Sequence, residues 1–227
     1  MLEKINRAAI LSALVAIPAV LFVAFQYAPV LTEGFTEPLA QKIFYFHVSS
    51  AIAGYLGFCV ILVASILYLR TEDQNMDRWA ISAAEVGVVL LTVTMLTGPI
   101  WAKAEWGVFW RFGDIKLMMV LILWLVYIGY MVLRANIRGE EGSRVAAVYA
   151  ILGFVAVPIS FLAQRLWRSL HPTVIVSGSG GMGPKVAVAF GVSVLAFIIL
   201  FVALLLWRKR IEDAKSRIEN IKSEMEV

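Results

Sequence analysis

The chain has 227 residues, of which 61% are hydrophobic and 16% charged, and its mean hydropathy is +0.83. A soluble domain averages about 45–50% apolar and 25% charged residues, so an ordinary water-soluble fold is excluded and the bulk of this protein belongs in lipid. The net charge of +4 calls for no nucleic acid, because a basic balance in a multispanning protein is mostly a topology signal.

Six apolar runs follow one another, at about 8–28, 43–69, 79–100, 117–133, 145–163 and 186–207. Each approaches or exceeds the ~20 residues with which a helix crosses a hydrocarbon core of about 30 Å. The runs are continuous rather than alternating, which excludes a membrane barrel. The expected fold is therefore all-α: a polytopic domain of six transmembrane helices over residues 1–207 and a charged helical tail over 208–227.

The first run follows Lys4 and Arg7, as a signal peptide would. It is longer than a signal core, and Gln26-Tyr27-Ala28-Pro29 offers no small-x-small cleavage site, so it is expected to stay as a helix. The second run starts near Pro38 and carries His47 in QKIFYFHVSSA, some 10–14 Å along the helix at about 1.5 Å per residue, near the headgroup boundary. Cys59, the single cysteine, lies mid-helix as a small apolar residue and provides no disulfide, no CxxC pair and no CxxCH attachment site.

The loop RTEDQNMDR, 70–78, is a short charged connector, as is RANIRGEEGSR at 134–144. Between them the third run holds Glu85. An intramembrane carboxylate marks a transport pathway by default; the structural alternative is pairing with a polar neighbour or snorkelling.

After the third run comes WAKAEWGVFWRFGD, 101–114, with five aromatic side chains in fourteen positions, broken by Lys103, Glu105, Arg111 and Asp114. Trp106, Phe109 and Trp110 recur at i, i+3, i+4, the pattern of a short interfacial helix with an aromatic floor and a polar edge of Lys103, Gly107, Arg111 and Asp114. Aromatic belts at membrane boundaries account for any one of these residues taken alone.

Beyond the fifth run, Gln164, Arg168 and His171 stand at i, i+4, i+7, with Trp167 four residues before the histidine. If the segment is helical, a cation and an indole share the imidazole's side; Pro172 then ends it. The outer loop is taken as 164–185, and its SGSGGMGPK stretch, 177–185, lacks the Lys-Ser/Thr ending and preceding strand of a phosphate loop, so it reads as flexible. In the tail, Ile211, Ala214, Ile218, Ile221 and Met225 form a seam at heptad spacing, barely two heptads long. It is expected to extend the last helix, either with a modest docking face or as a partner-binding helix.

With both ends on one side, that side holds thirteen Lys and Arg residues and the other seven. The larger set is Lys4, Arg7, Arg70, Arg78, Arg134, Arg138, Arg144 and six in the tail. The positive-inside rule places both termini in the cytoplasm, and His47, His171 and the aromatic segment outward.

Two outward histidines with aromatic and cationic groups match a planar apolar macrocycle with a central metal and two edge carboxylates. That guest is haem. IFYFHVSSA, TGPIWAKAEWGVFWRFGDIKL and the outer His171 after Trp167 also resemble, in order and spacing, the haem exporter protein C family of cytochrome c maturation, whose members carry a tryptophan-rich outer segment.

The resemblance implies that His47 and His171 are axial ligands to non-covalent haem b and that Trp101, Trp106 and Trp110 line its site. It also implies delivery of haem to a membrane-anchored haem chaperone at the outer face of the cell inner membrane. Its further implied partners are an ATP-binding-cassette ATPase, a second membrane subunit and a small single-span protein.

The family's core reads like WGxWWxWDxRLT, against WGVFWRFGDIKL here. Phe109 and Phe112 replace tryptophans, Lys116 stands where arginine is common, and the aspartate position falls on Asp114 when one extra residue precedes it and on Gly113 without that residue. Trp167 adds a stacking surface, and Arg168, Lys42 and Arg111 or Lys116 are expected near the propionates. Gly178, Gly180, Gly181 and Gly183 would let the His171 loop move.

No nucleophile with a paired base is visible, so a haem-handling module is expected rather than an enzyme. A proton-coupled transporter using Glu85 and a membrane haem-redox subunit of cytochrome b type remain as alternatives.

Overall fold

The computed structural model describes residues 2–31, 36–137, 139–172 and 182–225, without the side chains of 2–6 and of Gln164. Seven α-helices follow one another: α1 Leu2–Phe22, α2 Ile43–Thr71, α3 Gln74–Trp106, α4 Ile115–Asn136, α5 Gly139–Gly153, α6 Ala156–Leu166 and α7 Pro184–Met225. A π-helical turn, Val23–Tyr27, prolongs α1, and a 3-10 turn, Pro38–Lys42, leads into α2. Arg138, Gly178, Gly180 and Gly181 lie outside the described residues.

The helices make six segments long and apolar enough to cross a membrane, with α5 and α6 together forming the fifth. If each of the six crosses, both chain ends return to one side. The fifth span is expected to be one helix but is interrupted at Phe154 and Val155. Pro158 lacks the N–H that would bond the Phe154 carbonyl, and its ring clashes there; Val157 N–H bonds that carbonyl instead, at 2.9 Å.

Packing centres on α2 and α3, the most extensive helix pair. Lipid supplies no hydrophobic drive between helices, so close approach through small residues must do so. A Cβ on Gly57 would lie 3.0 Å from Gly87 Cα, and one on Gly54 3.2 Å from Gly87 O. Phe58 fills the space beside Gly87 and stacks on Tyr127 of α4, ring centres 3.8 Å apart.

On the side of the chain ends, ion pairs tie the helices together. Asp77 accepts from Arg134 at 2.7 Å and from Ser143 at 3.0 Å, joining α3, α4 and α5. Glu85 is paired with Arg208 of α7, whose Nη2 lies 2.6 Å from Oε1, and Asp213 pairs with Arg78 and Lys209. The last helix runs without a break from its span into the charged tail.

Candidate functional site

His47 sits in the second turn of α2, facing α3. Its Nδ1 lies 3.1 Å from Thr97 Oγ1, and that hydroxyl donates to Val93 O at 2.8 Å. A hydroxyl has one proton, so it accepts from Nδ1–H, and the lone pair of His47 is left on Nε2. The residue next to Thr97 is Gly98, where a Cβ would stand 3.0 Å from His47 Cε1; glycine is what leaves room for the ring. Ser50 closes the arrangement behind, bonding His47 O and Thr94 Oγ1, each at 2.9 Å.

His171 arrives on the loop after α6. Its Nδ1 is 3.2 Å from Pro172 O, an atom that only accepts, so Nδ1 again carries the proton and Nε2 the lone pair. The two imidazole centres are 6.2 Å apart with planes inclined at 32°. Metal–imidazole bonds of about 2 Å, with each ring centre roughly 1 Å behind its nitrogen, put the centres of two opposed ligands about 6 Å apart. Each imidazole also has its second nitrogen hydrogen-bonded, the usual state of a metal-ligating histidine.

One carboxylate holds the His171 loop. Asp114 caps α4, its Oδ1 accepting from Lys116 N at 3.0 Å and Leu117 N at 3.2 Å. Its Oδ2 accepts from Leu170 N at 2.7 Å and from Ser169 Oγ at 2.9 Å, and Ser169 Oγ accepts in turn from His171 N at 3.0 Å. Lys116 donates to Ser160 O at 2.7 Å. Burial and the Lys116 charge push the His171 imidazole down from 6.5 to about 4, which keeps it neutral and able to ligate near pH 7.

The aromatic segment differs from the expected short helix. Gly107, with φ of 73°, ends α3 just after Trp106, and residues 107–114 form an irregular turn. Trp106, Phe109 and Trp110 therefore do not share a helical face. Trp101 and Trp106 pack edge to face at 5.2 Å, Phe109 lies under Lys103 Nζ at 5.6 Å, and Phe109 and Phe112 are exposed.

The segment 164–171 is likewise not one helix. α6 stops at Leu166, Trp167 is extended and half exposed, and Arg168 and His171 lie on the loop. Arg168, Arg111, Trp110, Asp114, Ser169 and Leu170 line a cleft of about 680 Å³, within the size range of cofactor sites. Asp114, Ser169 and Leu170 are shared between this cleft and the His171 loop; the histidines themselves are not on its lining. Trp110 Nε1 is buried and has no hydrogen-bond partner among the described residues.

Lys42 is not placed with these cations. It is buried, and Nζ donates to Ala28 O at 2.5 Å and Pro29 O at 3.2 Å. It fastens the stretch after α1 to the start of α2.

Among the described residues no three His, Cys, Asp or Glu side chains converge as a metal-holding group. Two imidazoles at that separation, with no third ligating side chain, suit a metal that brings its own donors, as a porphyrin does. The orphaned indole N–H and the two arginines of the neighbouring cleft suit carboxylates at such a group's edge.

The sequence matches the family described as "Heme exporter protein C" over residues 1–224. The chain belongs to that family. It is 30% identical to heme exporter protein C of Bradyrhizobium diazoefficiens over 192 residues, covering 83% of this chain and 73% of the relative. The same protein of Paracoccus denitrificans is 30% identical over 82% of this chain and 78% of its own, and that of Escherichia coli K12 26% identical over 82% and 74%.

As a haem exporter protein C family member, the protein is a membrane component of haem delivery for cytochrome c maturation and not a catalyst. Its membrane character agrees with the six apolar segments. Thr97, Gly98, Ser50 and Ser169, which orient the two histidines, were not singled out from the sequence. Ser50 lies within IFYFHVSSA, and Thr97 and Gly98 open TGPIWAKAEWGVFWRFGDIKL about fifty residues beyond His47, on the next helix, which a helical hairpin brings back alongside it.

Proposed function

We propose that this family member binds non-covalent haem b between His47 and His171 and passes it to a membrane-anchored haem chaperone. The observation that carries the proposal is the imidazole pair, 6.2 Å between centres with Nδ1 of each ring hydrogen-bonded, which leaves the lone pair on Nε2. Trp110 Nε1, Arg111 and Arg168 stand where propionates would be received, while Trp101, Trp106, Phe109, Phe112 and Trp167 offer apolar faces. Asp114 and Lys116 act from behind, on the loop and on its charge. When bound, haem supplies the iron and the redox chemistry; the protein supplies two neutral ligands and a site that opens on one side.

The two ligands are held differently. His47 is part of a helix packed on α3, whereas His171 rides on a loop fastened through Asp114 and Ser169. Opening that fastening would free one axial position while the other still holds the cargo, which suits transfer rather than storage. The excess of Lys and Arg beside the chain ends supports cytoplasmic termini and an outward site in the cell inner membrane. An ATP-binding-cassette ATPase, a second membrane subunit and a small single-span protein are the partners that complete this proposal.

The test is the absorption spectrum of haem-loaded protein and of His47→Ala and His171→Ala. The expected result is a bis-imidazole spectrum in the parent, lost in each variant. Spectra that do not change in either variant end the proposal.

The proton-coupled transporter has less support, because Glu85 is paired with Arg208 near the membrane boundary rather than facing a polar channel. A haem-redox subunit would keep its cargo through repeated oxidation and reduction. Ready transfer of haem from the loaded protein to an acceptor in vitro separates delivery from that role.

A further inference from the structure

The tail of α7 carries an unused surface on the side of the membrane that holds the chain ends. Lys209, Glu212 and Asp213 turn toward the helix bundle, where Lys209 bonds Asn75 at 2.8 Å and Asp213 pairs with Arg78 at 2.7 Å. The opposite face presents Ile211, Ala214, Ile218, Ile221 and Met225, all exposed, with Ile218 at 54% and Ile221 at 56%. Their spacing of three and four makes a continuous seam. Arg217 and Lys222 flank it, together with Lys215, which pairs with Glu212 at 2.9 Å, and one flanking carboxylate, Glu224.

We infer that this seam is a docking site for an amphipathic helix of a partner protein whose own apolar seam is flanked by carboxylates. Charge decides among the occupants. A second copy in the same membrane would bring its tail alongside in parallel, and a parallel pairing sets Arg217 of one chain against Lys222 of the other, like against like. An anionic lipid surface would match the cations, but the helix does not turn to meet it. Beyond Gly191, as far as Met225, there is no glycine, proline or break, so that stretch has none of the usual causes of a kink. At about 1.5 Å per residue, the eighteen steps from Trp207 carry Met225 roughly 27 Å beyond the end of the apolar run. An acidic-flanked helix satisfies both the seam and its cations at that distance from lipid.

The experiment uses the full chain in lipid nanodiscs and two fluorescent helical peptides with identical Leu/Ile seams. One peptide has Glu and the other Lys at the seam-flanking positions, and anisotropy reads binding. The Glu peptide should bind at least about tenfold more tightly, since like charges across an interface are strongly disfavoured, and added salt should narrow the gap. Ile218→Asp with Ile221→Asp should abolish binding, and Arg217→Glu with Lys222→Glu should transfer the preference to the Lys peptide. Haem titration at the opposite membrane face reports that each variant keeps its fold.

Equal binding of both peptides, binding of neither, or indifference to the charge swap overturns the inference. Two further outcomes also overturn it. One is efficient disulfide linkage between copies of Met225→Cys in the membrane, which makes the occupant a second tail. The other is protection of the tail from trypsin by phosphatidylglycerol-rich vesicles but not by the Glu peptide, which makes it a bilayer.

Discussion

Asparagine at position 114 separates the fold from the site. The Asp114 carboxylate serves four donors: Lys116 N and Leu117 N at the start of α4, and Ser169 Oγ and Leu170 N on the His171 loop. An amide keeps one accepting oxygen, which in the Oδ1 place still reaches the α4 amides and Ser169 Oγ at 3.0 Å, and turns the other, the acceptor of Leu170 N–H, into a donor. With the oxygen toward α4 the cap survives, and Leu170 N–H then faces an NH2 group. The loop loses a hydrogen bond to a charged acceptor, about 1.5–3 kcal/mol, which at 1.4 kcal/mol per tenfold is a factor of roughly 10–100 in the population holding His171 in place. Because apparent affinity scales with that population, haem binding to Asp114→Asn should weaken by up to that factor and at least several-fold. Thermal stability of the cargo-free protein should change little. Absorption titration gives the affinity and the axial-ligand signature, and a thermal melt gives the stability. Affinity and spectrum equal to the parent's would refute the role of Asp114, as would a large fall in stability with unchanged affinity.

Gly98→Ala places a methyl 3.0 Å from His47 Cε1, and relieving such overpacking costs about 1–3 kcal/mol, so its haem affinity should fall by about tenfold or more while helix content by circular dichroism stays constant. Glu85→Gln removes the charge facing Arg208, which retains Glu212 as a partner; losing charged hydrogen bonds of about 1.5–3 kcal/mol should lower the melting temperature, and haem affinity measured by titration should be untouched. Burial and then Lys116 lower the His171 pKa from 6.5 to about 4, so the unfolded chain takes up a proton near 6.5 that the folded loop refuses until about 4. The loop's stability is therefore full above the ordinary imidazole value and declines as pH falls toward about 4. Imidazole NMR of the cargo-free protein should place the His171 midpoint well below 6.5, and a midpoint at 6.5 would contradict the buried, cation-flanked setting.

The six spans are legible because continuous apolarity over twenty or more residues has few outcomes in lipid. The interruption at Phe154 and Val155 is harder to see: Pro158 signals it, but both its flanks are as apolar as an unbroken span. His47 and His171 are legible as a pair because the chain has no others and topology sends both to one side. The helical spacing of Trp106, Phe109 and Trp110 misleads, since a single left-handed glycine at 107 overrides a periodicity of three and four. Lys42 looks like a propionate partner by position, yet two backbone carbonyls after α1 claim its ammonium group. The work of Asp114 on the His171 loop is invisible in sequence because its donors lie 55 and 56 residues away, across a gap that only the packing of α4 against α6 closes.

The glycine contact between α2 and α3 bears on how such a protein tolerates change. Gly54, Gly57 and Gly87 meet inside the α2–α3 pair, and Gly54 and Gly57 stand two to three helical turns from His47. Yet they set the depth and azimuth at which α2 presents its imidazole to Thr97 and Gly98, since a rigid helix transmits a rotation at one level to every other. A methyl added at Gly57 pushes the two rods apart or twists them, and the displacement carries to His47. The tolerance of the helix interior to substitution should thus be mapped by its leverage on the histidine pair rather than by its distance from it.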